Sequence, residues 1–303
     1  MKPADILKID LHSHTTASDG EFTPTQLVAQ AASLGISHLA ITDHDNVEGI
    51  DEAIKAGEEY GVEIVPGIEL SLDYPGVPGS IHLLGLYIDH KHPEIDRYVI
   101  KLKEFREERN QKMLDKVQKL GFDIRATDFP EIPLNKLGRV HIAKKLVDKG
   151  YLKDVKEAFE RYLKKGAGAY VNKIRYSVEE GINFVHKAKG IASLAHPYTL
   201  KLNHKQLEIF IRYLKEVAKL DAIEVFYPEH SPRFVEFYLQ LVNKYDLIPT
   251  GGSDYHGENK PGLALGENFY PIIEDVDITY KDIMNRLQQV RSVYEHSIPL
   301  AGN

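Results

Sequence analysis

The chain has 303 residues, 43% hydrophobic and 27% charged, with a formal charge of −7. These proportions are ordinary for a globular protein, and the length suits one large domain or one domain with a sizeable insertion. No stretch approaches the roughly 18 apolar residues of a membrane-spanning helix, MKPADILKIDLHSH lacks the form of a secretory signal, and the absence of cysteine excludes disulfides, zinc–thiolate sites and a cysteine nucleophile.

A cytoplasmic setting fits this composition, and any metal must be held by nitrogen and oxygen. In chain order, Ile6–Leu11 reads as a strand. Pro24–Leu34 reads as a helix with Thr23 as N-cap, Pro24 at its first position and Gly35 as its stop. His38–Thr42 is a second strand and Val47–Tyr60 a second helix, ended by Gly61. Glu63–Pro66 and Ser80–Ile88 follow as strands, the latter after the turn-rich PGVPG. From about Ile95 the pattern becomes helical, with a long charged helix to Leu120 and shorter ones near 139–149 and 153–164. Residues 101–175 hold 20 Lys and Arg against 11 Asp and Glu, a balance of +9, which leaves −16 elsewhere. That basic block is either a solvated helical surface or a substrate-facing lid for a polyanion. Alternation then resumes with a helix at 178–188, IASLAHP, a helix at 204–219, AIEVFYP, a helix at 232–245, LIPTGGSDYH and a last helix near 279–291.

Repeated strand–helix units imply a parallel sheet, because parallel strands need a crossover connection. Six or seven units suffice to close a barrel. The expected architecture is an α/β barrel formed by residues 1–94 and 176–303, interrupted by a basic helical insertion at 95–175.

The chemistry-bearing residues sit where strands end. They are His12 and His14 with Asp19 after the first strand, Asp43-His44-Asp45 after the second and Glu69 after the third. His82 lies within the fourth, and His196 and Asp254-Tyr255-His256 come later. In an α/β barrel these ends share one rim. Alternate residues on a strand face the same way, so His12 and His14 can reach one ion, as can Asp254 and His256. Singly, each has a plainer use. Asp43 and Asp45 suit N-caps of the following helix, Asp19-Gly20 is ordinary turn chemistry, and His82 alone reads as a core histidine. Six histidines and three acids gathered together are costly to bury without a ligand. His38, His90, His92, His186, His204 and His296 lack this placement and read as surface or structural.

IDLHSHTTASDGEFTP, AITDHDNVEG, GIELS, IHLLGL, LAHP and GGSDYHG resemble, in order, the motifs of the PHP family of polymerase and histidinol phosphatase domains. That resemblance implies a distorted seven-stranded β/α barrel with a trinuclear metal centre. By it, His12, His14, Glu69 and Asp254 would hold one ion, Glu69, His82 and His196 a second, and Asp19, His44 and His256 a third. Two or three divalent ions (Mn, Fe or Zn) are the expected cofactors. The insertion's LGRVHIAKKLVDKGY is similar to the G-R-P-H-I-A segment of a subgroup acting on nucleoside 3′,5′-bisphosphates, nucleoside monophosphates or short RNA 5′ ends, with Val140 in place of the proline.

The expected reaction is hydrolysis of a nucleotide phosphate monoester by metal-activated hydroxide. Arg139 is the candidate for binding a second phosphate, since a guanidinium matches phosphate in a bidentate manner, with His141 beside it. His230, in VFYPEHSP, is a candidate to contact the phosphate or protonate the leaving oxygen. Two other activities compete: 5′-3′ exonucleolytic trimming of short RNA, and an amidohydrolase-type reaction, which would call for a bridging lysine where this chain has Glu69. The expected partner is a small phosphorylated substrate or short RNA, with no membrane and no disulfide partner.

Overall fold

In the computed structural model, which describes residues 8–267 and 279–296, the alternating segments at the start of the chain form strand–helix units. β1 (Ile9–Asp10) leads through the His12–His14 segment to α1 (Pro24–Ser33). The Thr23 side chain accepts from the Gln26 amide, and the Gln26 side chain caps in return. This is a reciprocal capping box with proline at the first helical position. β2 (His38–Ile41) is followed by α2 (Ile50–Tyr60), whose N-cap is Gly49 with no side-chain bond. The aspartates expected to cap α2 are committed elsewhere. Asp45 accepts from the Ser71 amide, and buried Asp43 accepts from the Thr15 amide, the Thr15 hydroxyl and the Ser18 hydroxyl. Ile6 and Leu7 of the expected first strand lie outside the described residues.

β3 is longer than its apolar start suggests, running Glu63–Asp73, and β4 spans Ile81–Leu86. The chain returns to the sheet with β5 (Tyr176–Ser177) and α6 (Val178–Lys187). β6 (Ile191–Leu194), β7 (Ala222–Phe226) and β8 (Ile248–Gly251) follow. α7 (His204–Tyr213) and α8 (Pro232–Tyr245) alternate with them, and α9 (Tyr280–His296) comes last. The strand order is β1-β2-β3-β4-β6-β7-β8, with short β5 pairing to β3. Leu11 donates its amide to the Gly251 carbonyl, Asp254 to His12 and His14 to Tyr255. These bonds bring β8 against β1 and nearly close a seven-stranded barrel.

The expected all-parallel sheet needs one correction. β4 is antiparallel to both neighbours, β3 and β6. Only residues 74–80 link β3 to β4, too few for the helical crossover that parallel pairing requires. Because β4 is reversed, its first residues lie at the rim where the other strands end. That places His82, paired opposite Ser71, with the candidate ligands at the strand ends.

Two compact units divide the chain, Met1–Ile95 with Tyr176–Asn303, and Asp96–Arg175. The barrel unit packs Leu27, Leu39, Ile41, Val65, Ile68, Leu70, Leu83, Leu194 and Ile223 at negligible exposure. The second unit is helical. Most of α3 (Pro93–Lys119), α4 (Arg139–Asp148) and α5 (Val155–Ala158) surround Met113, Leu114, Val117, Ile142, Leu146 and Leu163. No described helix is long and apolar enough to cross a membrane.

Candidate metal centre

Glu69 stands in the middle of the rim, fully buried on β3. Its two carboxylate oxygens face different histidines. Oε2 lies 3.3 Å from His12 Nε2, 3.2 Å from His14 Nε2 and 3.0 Å from His44 Nδ1. Oε1 lies 2.8 Å from His82 Nδ1 and 3.2 Å from His196 Nε2. A carboxylate with separate histidines on each oxygen would suit two ions, were they bound.

Asp254 Oδ1 approaches His12 Nε2 at 3.5 Å, His14 Nε2 at 3.2 Å and His256 Nδ1 at 3.4 Å. Half-exposed Asp19 lies 3.3 Å from His256 Nε2 and 3.8 Å from both His14 and His44. All nine residues singled out in the sequence therefore meet. Their ligand atoms form three groups: His12, His14, Glu69 and Asp254; His14, Asp19, His44 and His256; and His44, Glu69 and His82. His14 and His44 thus stand closer to more than one group than the family resemblance implied. His196 reaches Glu69 from the other side of the cluster.

The arrangement fits metal better than mutual ion pairing. The atoms His12 Nε2, both ring nitrogens of His14, His44 Nδ1, His82 Nδ1 and Glu69 Oε2 are all buried without a hydrogen-bond partner. Their lone pairs approach one another closely yet are misaligned for hydrogen bonds, as they would be when aimed at common central points. Imidazole nitrogen with carboxylate oxygen suits Mn, Fe or Zn. The electrostatics agree that the site calls for positive charge. Burial alone would raise the Glu69 and Asp254 pKa values, but charged histidines around them hold both well below the carboxylate range. Burial would lower the His12 pKa, but Glu224, Asp254 and Glu69 drive it well up.

Residues behind the ligands fix their aim. Glu224, buried on β7, places Oε1 3.0 Å from His12 Nδ1 and accepts the His196 amide on Oε2. This is the carboxylate–histidine support common behind metal ligands. Asp10 accepts the amides of His12, Ser253 and Gly266 and the Ser253 hydroxyl. Asp43 ties down the loop leading to Asp19. His196 and Asp254 both sit at positive φ, 24° and 54°, a cost that such sites commonly carry.

Motif reading missed Glu224, although a lone acid inside the apolar run AIEVF was a usable signal. It also missed Lys260 and Tyr227. Lys260 Nζ lies 2.5 Å from Asp254 Oδ2, and the Tyr227 hydroxyl lies 3.1 Å from the same oxygen.

The residues proposed for substrate have other surroundings. His230 is buried, with Nδ1 against the Val225 carbonyl at 2.9 Å and Nε2 unpartnered among the rings of Tyr198, Tyr227 and Tyr238. Burial lowers its pKa to about 4, so it is neutral near pH 7 and Nε2 carries a lone pair. Arg139, at the start of α4, donates to the Leu163 carbonyl and lies over the rings of Phe159 and Tyr170. Burial and then the nearby Arg139 charge lower the pKa of Arg109, whose Nε donates to the Val171 carbonyl. Neither guanidinium pairs with a carboxylate among the described residues. His141 Nδ1 is used as a cap, accepting the Gly138 amide. His38, His90, His92 and His186 bond outside the rim, His38 to Glu63 and His186 to Asp221, His204 stacks on Phe237, and the His296 side chain lies outside the described residues.

Comparison with known proteins accords with this geometry. The PHP domain family model matches residues 10–290. The chain belongs to the PHP domain family. Among PHP relatives, it is 33% identical over 249 residues to a 5′-3′ exoribonuclease of Haemophilus influenzae, covering 82% of this chain and 90% of that one. It is 31% identical over 279 residues to a 3′,5′-nucleoside bisphosphate phosphatase of Chromobacterium violaceum, covering 89% and 95%. A solved Bifidobacterium adolescentis protein, described as a metal-dependent phosphoesterase, superposes with a TM-score of 0.66 at 30% identity, covering 98% and 99%. The chain is accordingly a hydrolase of phosphoric esters on a PHP-type α/β barrel.

Proposed function

We propose that this PHP protein removes a phosphate monoester from a nucleotide, foremost a nucleoside 3′,5′-bisphosphate, using two or three divalent ions held by His12, His14, Asp19, His44, Glu69, His82, His196, Asp254 and His256. The observation that carries this reading is the division of Glu69, with separate histidines on each carboxylate oxygen. When bound, Mn, Fe or Zn would lower the pKa of water and neutralise charge on the phosphoryl oxygens, so that no covalent enzyme intermediate is needed. Glu224 orients His12, and Asp10 and Asp43 hold the loops that carry ligands. His230, with Nε2 as a lone-pair acceptor, suits a substrate hydroxyl better than a phosphate oxygen. The zero cysteine count fits a cytoplasmic setting.

A second phosphate needs cations beyond the metal. Arg139 and His141 supply this in our reading, and the absence of a carboxylate partner for Arg139 supports it. Replacing Arg139 by alanine should raise KM for 3′,5′-bisphosphates roughly tenfold more than for mononucleotides, the order expected of one charge-assisted contact. An unchanged ratio contradicts the assignment. The exoribonuclease relative favours a second reading, trimming of RNA from its 5′ end. A turnover screen with Mn²⁺ over bisphosphates, mononucleotides and short 5′-phosphorylated RNA separates the two. Inorganic phosphate from the bisphosphate supports the first reading, and faster release of mononucleotides from RNA supports the second.

A further inference from the structure

Asp254 treats its two oxygens differently. Oδ1 faces the histidines His12, His14 and His256. Oδ2 instead lies 2.5 Å from Lys260 Nζ and 3.1 Å from the Tyr227 hydroxyl. Lys260 Nζ also lies 3.2 Å from that hydroxyl, so the tyrosine accepts from the ammonium. A phenol has one proton to give, and both Asp254 and Glu229 are in reach. Glu229 also receives the Tyr198 hydroxyl, so the Tyr227 hydroxyl stands between two carboxylates, 3.0 Å from Glu229 Oε2 and 3.1 Å from Asp254 Oδ2.

The backbone beneath Lys260 is tied down. Glu258 donates its amide to Glu21, the Asn259 side chain donates to the Asp19 carbonyl, and the Lys260 amide closes a turn on Gly257. The loop that carries Lys260 is therefore anchored to the loop that carries Asp19. The lysine side chain is 39% exposed, whereas that of Asp254 is 5% exposed. Lysine in such a place would ordinarily extend into water, since a surface ion pair brings little stability. Here it reaches inward to a nearly buried carboxylate that sits at strained φ.

We propose that Lys260, with Tyr227 as its partner, is a positioning residue that clamps Oδ2 of Asp254, so that only Oδ1 is presented to the metal. The inference rests on the metal-centre reading above. It also makes a prediction opposite in sign to simple charge repulsion. Removing a cation beside a dication site should, by Coulomb's law alone, tighten metal binding. Loss of a clamp should weaken it, because partners behind a ligand typically account for about 10–100-fold in metal affinity.

The test is calorimetric titration of Mn²⁺ into the metal-stripped full-length chain, comparing wild type with Lys260→Met, Lys260→Arg and Tyr227→Phe. Circular dichroism melts confirm that each variant is folded. The clamp predicts that Lys260→Met weakens one binding step by about tenfold or more. Lys260→Arg should retain most of that affinity, and Tyr227→Phe should weaken the same step by less. Unchanged or tighter Mn²⁺ binding in Lys260→Met overturns the clamp while leaving the metal centre intact. A wild-type chain that takes up no Mn²⁺, Fe²⁺ or Zn²⁺ overturns both.

Discussion

Glu224 shows how far one side chain reaches. Its Oε1 meets His12 Nδ1 and its Oε2 meets the His196 amide, so both oxygens accept. Replacing it by glutamine leaves one acceptor for two donors and turns an NH₂ toward the other. Glu224→Gln should lower metal affinity by about 10–100-fold with little change in fold, and equal titration curves for variant and wild type would refute the role. His14 gives a pH dependence. Burial lowers its pKa, but the carboxylates of Asp254 and Glu69, each 3.2 Å from Nε2, lift it from 6.5 to about 9. A raised folded value contributes stability that is fully present below 6.5 and lost as pH rises through about 9. Chelator-treated protein should therefore melt at lower temperature at pH 9 than at pH 6.5, with the Mn²⁺-induced gain in Tm growing over that interval. A melting temperature that rises toward pH 9 without metal would contradict this. Among the nine candidate ligands, H-x-H, D-x-H and Glu69 beyond the apolar start of β3 were legible by pattern, whereas Asp19, His44, His82 and His196 took their place through the family resemblance. Glu224 carried only the weaker mark of a lone acid inside an apolar run, and a loop lysine such as Lys260 carries no spacing of its own.

Strand direction was the main feature that periodicity hid. Alternation of apolar residues reads the same in either direction, so β4 resembled its parallel neighbours in sequence. The short 74–80 link was the readable clue, and it explains why His82 belongs to the rim. The expected caps of α2 failed for a related reason. Asp43 and Asp45 have the right residue type for a cap, but hydrogen bonds from Thr15, Ser18 and Ser71 claim them first. Closure of the barrel depends on a residue with no side chain. A Cβ on Gly252 would lie 2.2 Å from His12 Cβ and 2.5 Å from its amide nitrogen, so β8 could not approach β1 at the first ligand. Gly252→Ala should cost about 1–3 kcal/mol, the usual range for overpacking, and should lower Mn²⁺ content as well. Full stability together with full metal content would show that the junction is looser than described.

Across the chain, an acidic barrel unit carries the candidate metal ligands and a basic helical unit carries Arg139 and Arg109. The composition of residues 101–175 is enough to display that division, because a +9 balance inside a −7 protein survives any choice of element boundaries. The family resemblance covered the same span of motifs that the barrel gathers at its rim. What ties the account together is Glu69, since a single carboxylate faced by histidines on both oxygens should serve more than one ion. Elemental analysis and native mass spectrometry of purified wild type and Glu69→Gln put this to the test. Wild type should hold two or three divalent ions, and Glu69→Gln should lose more than one of them while remaining folded. A Glu69→Gln protein that keeps its full complement of metal would contradict the account.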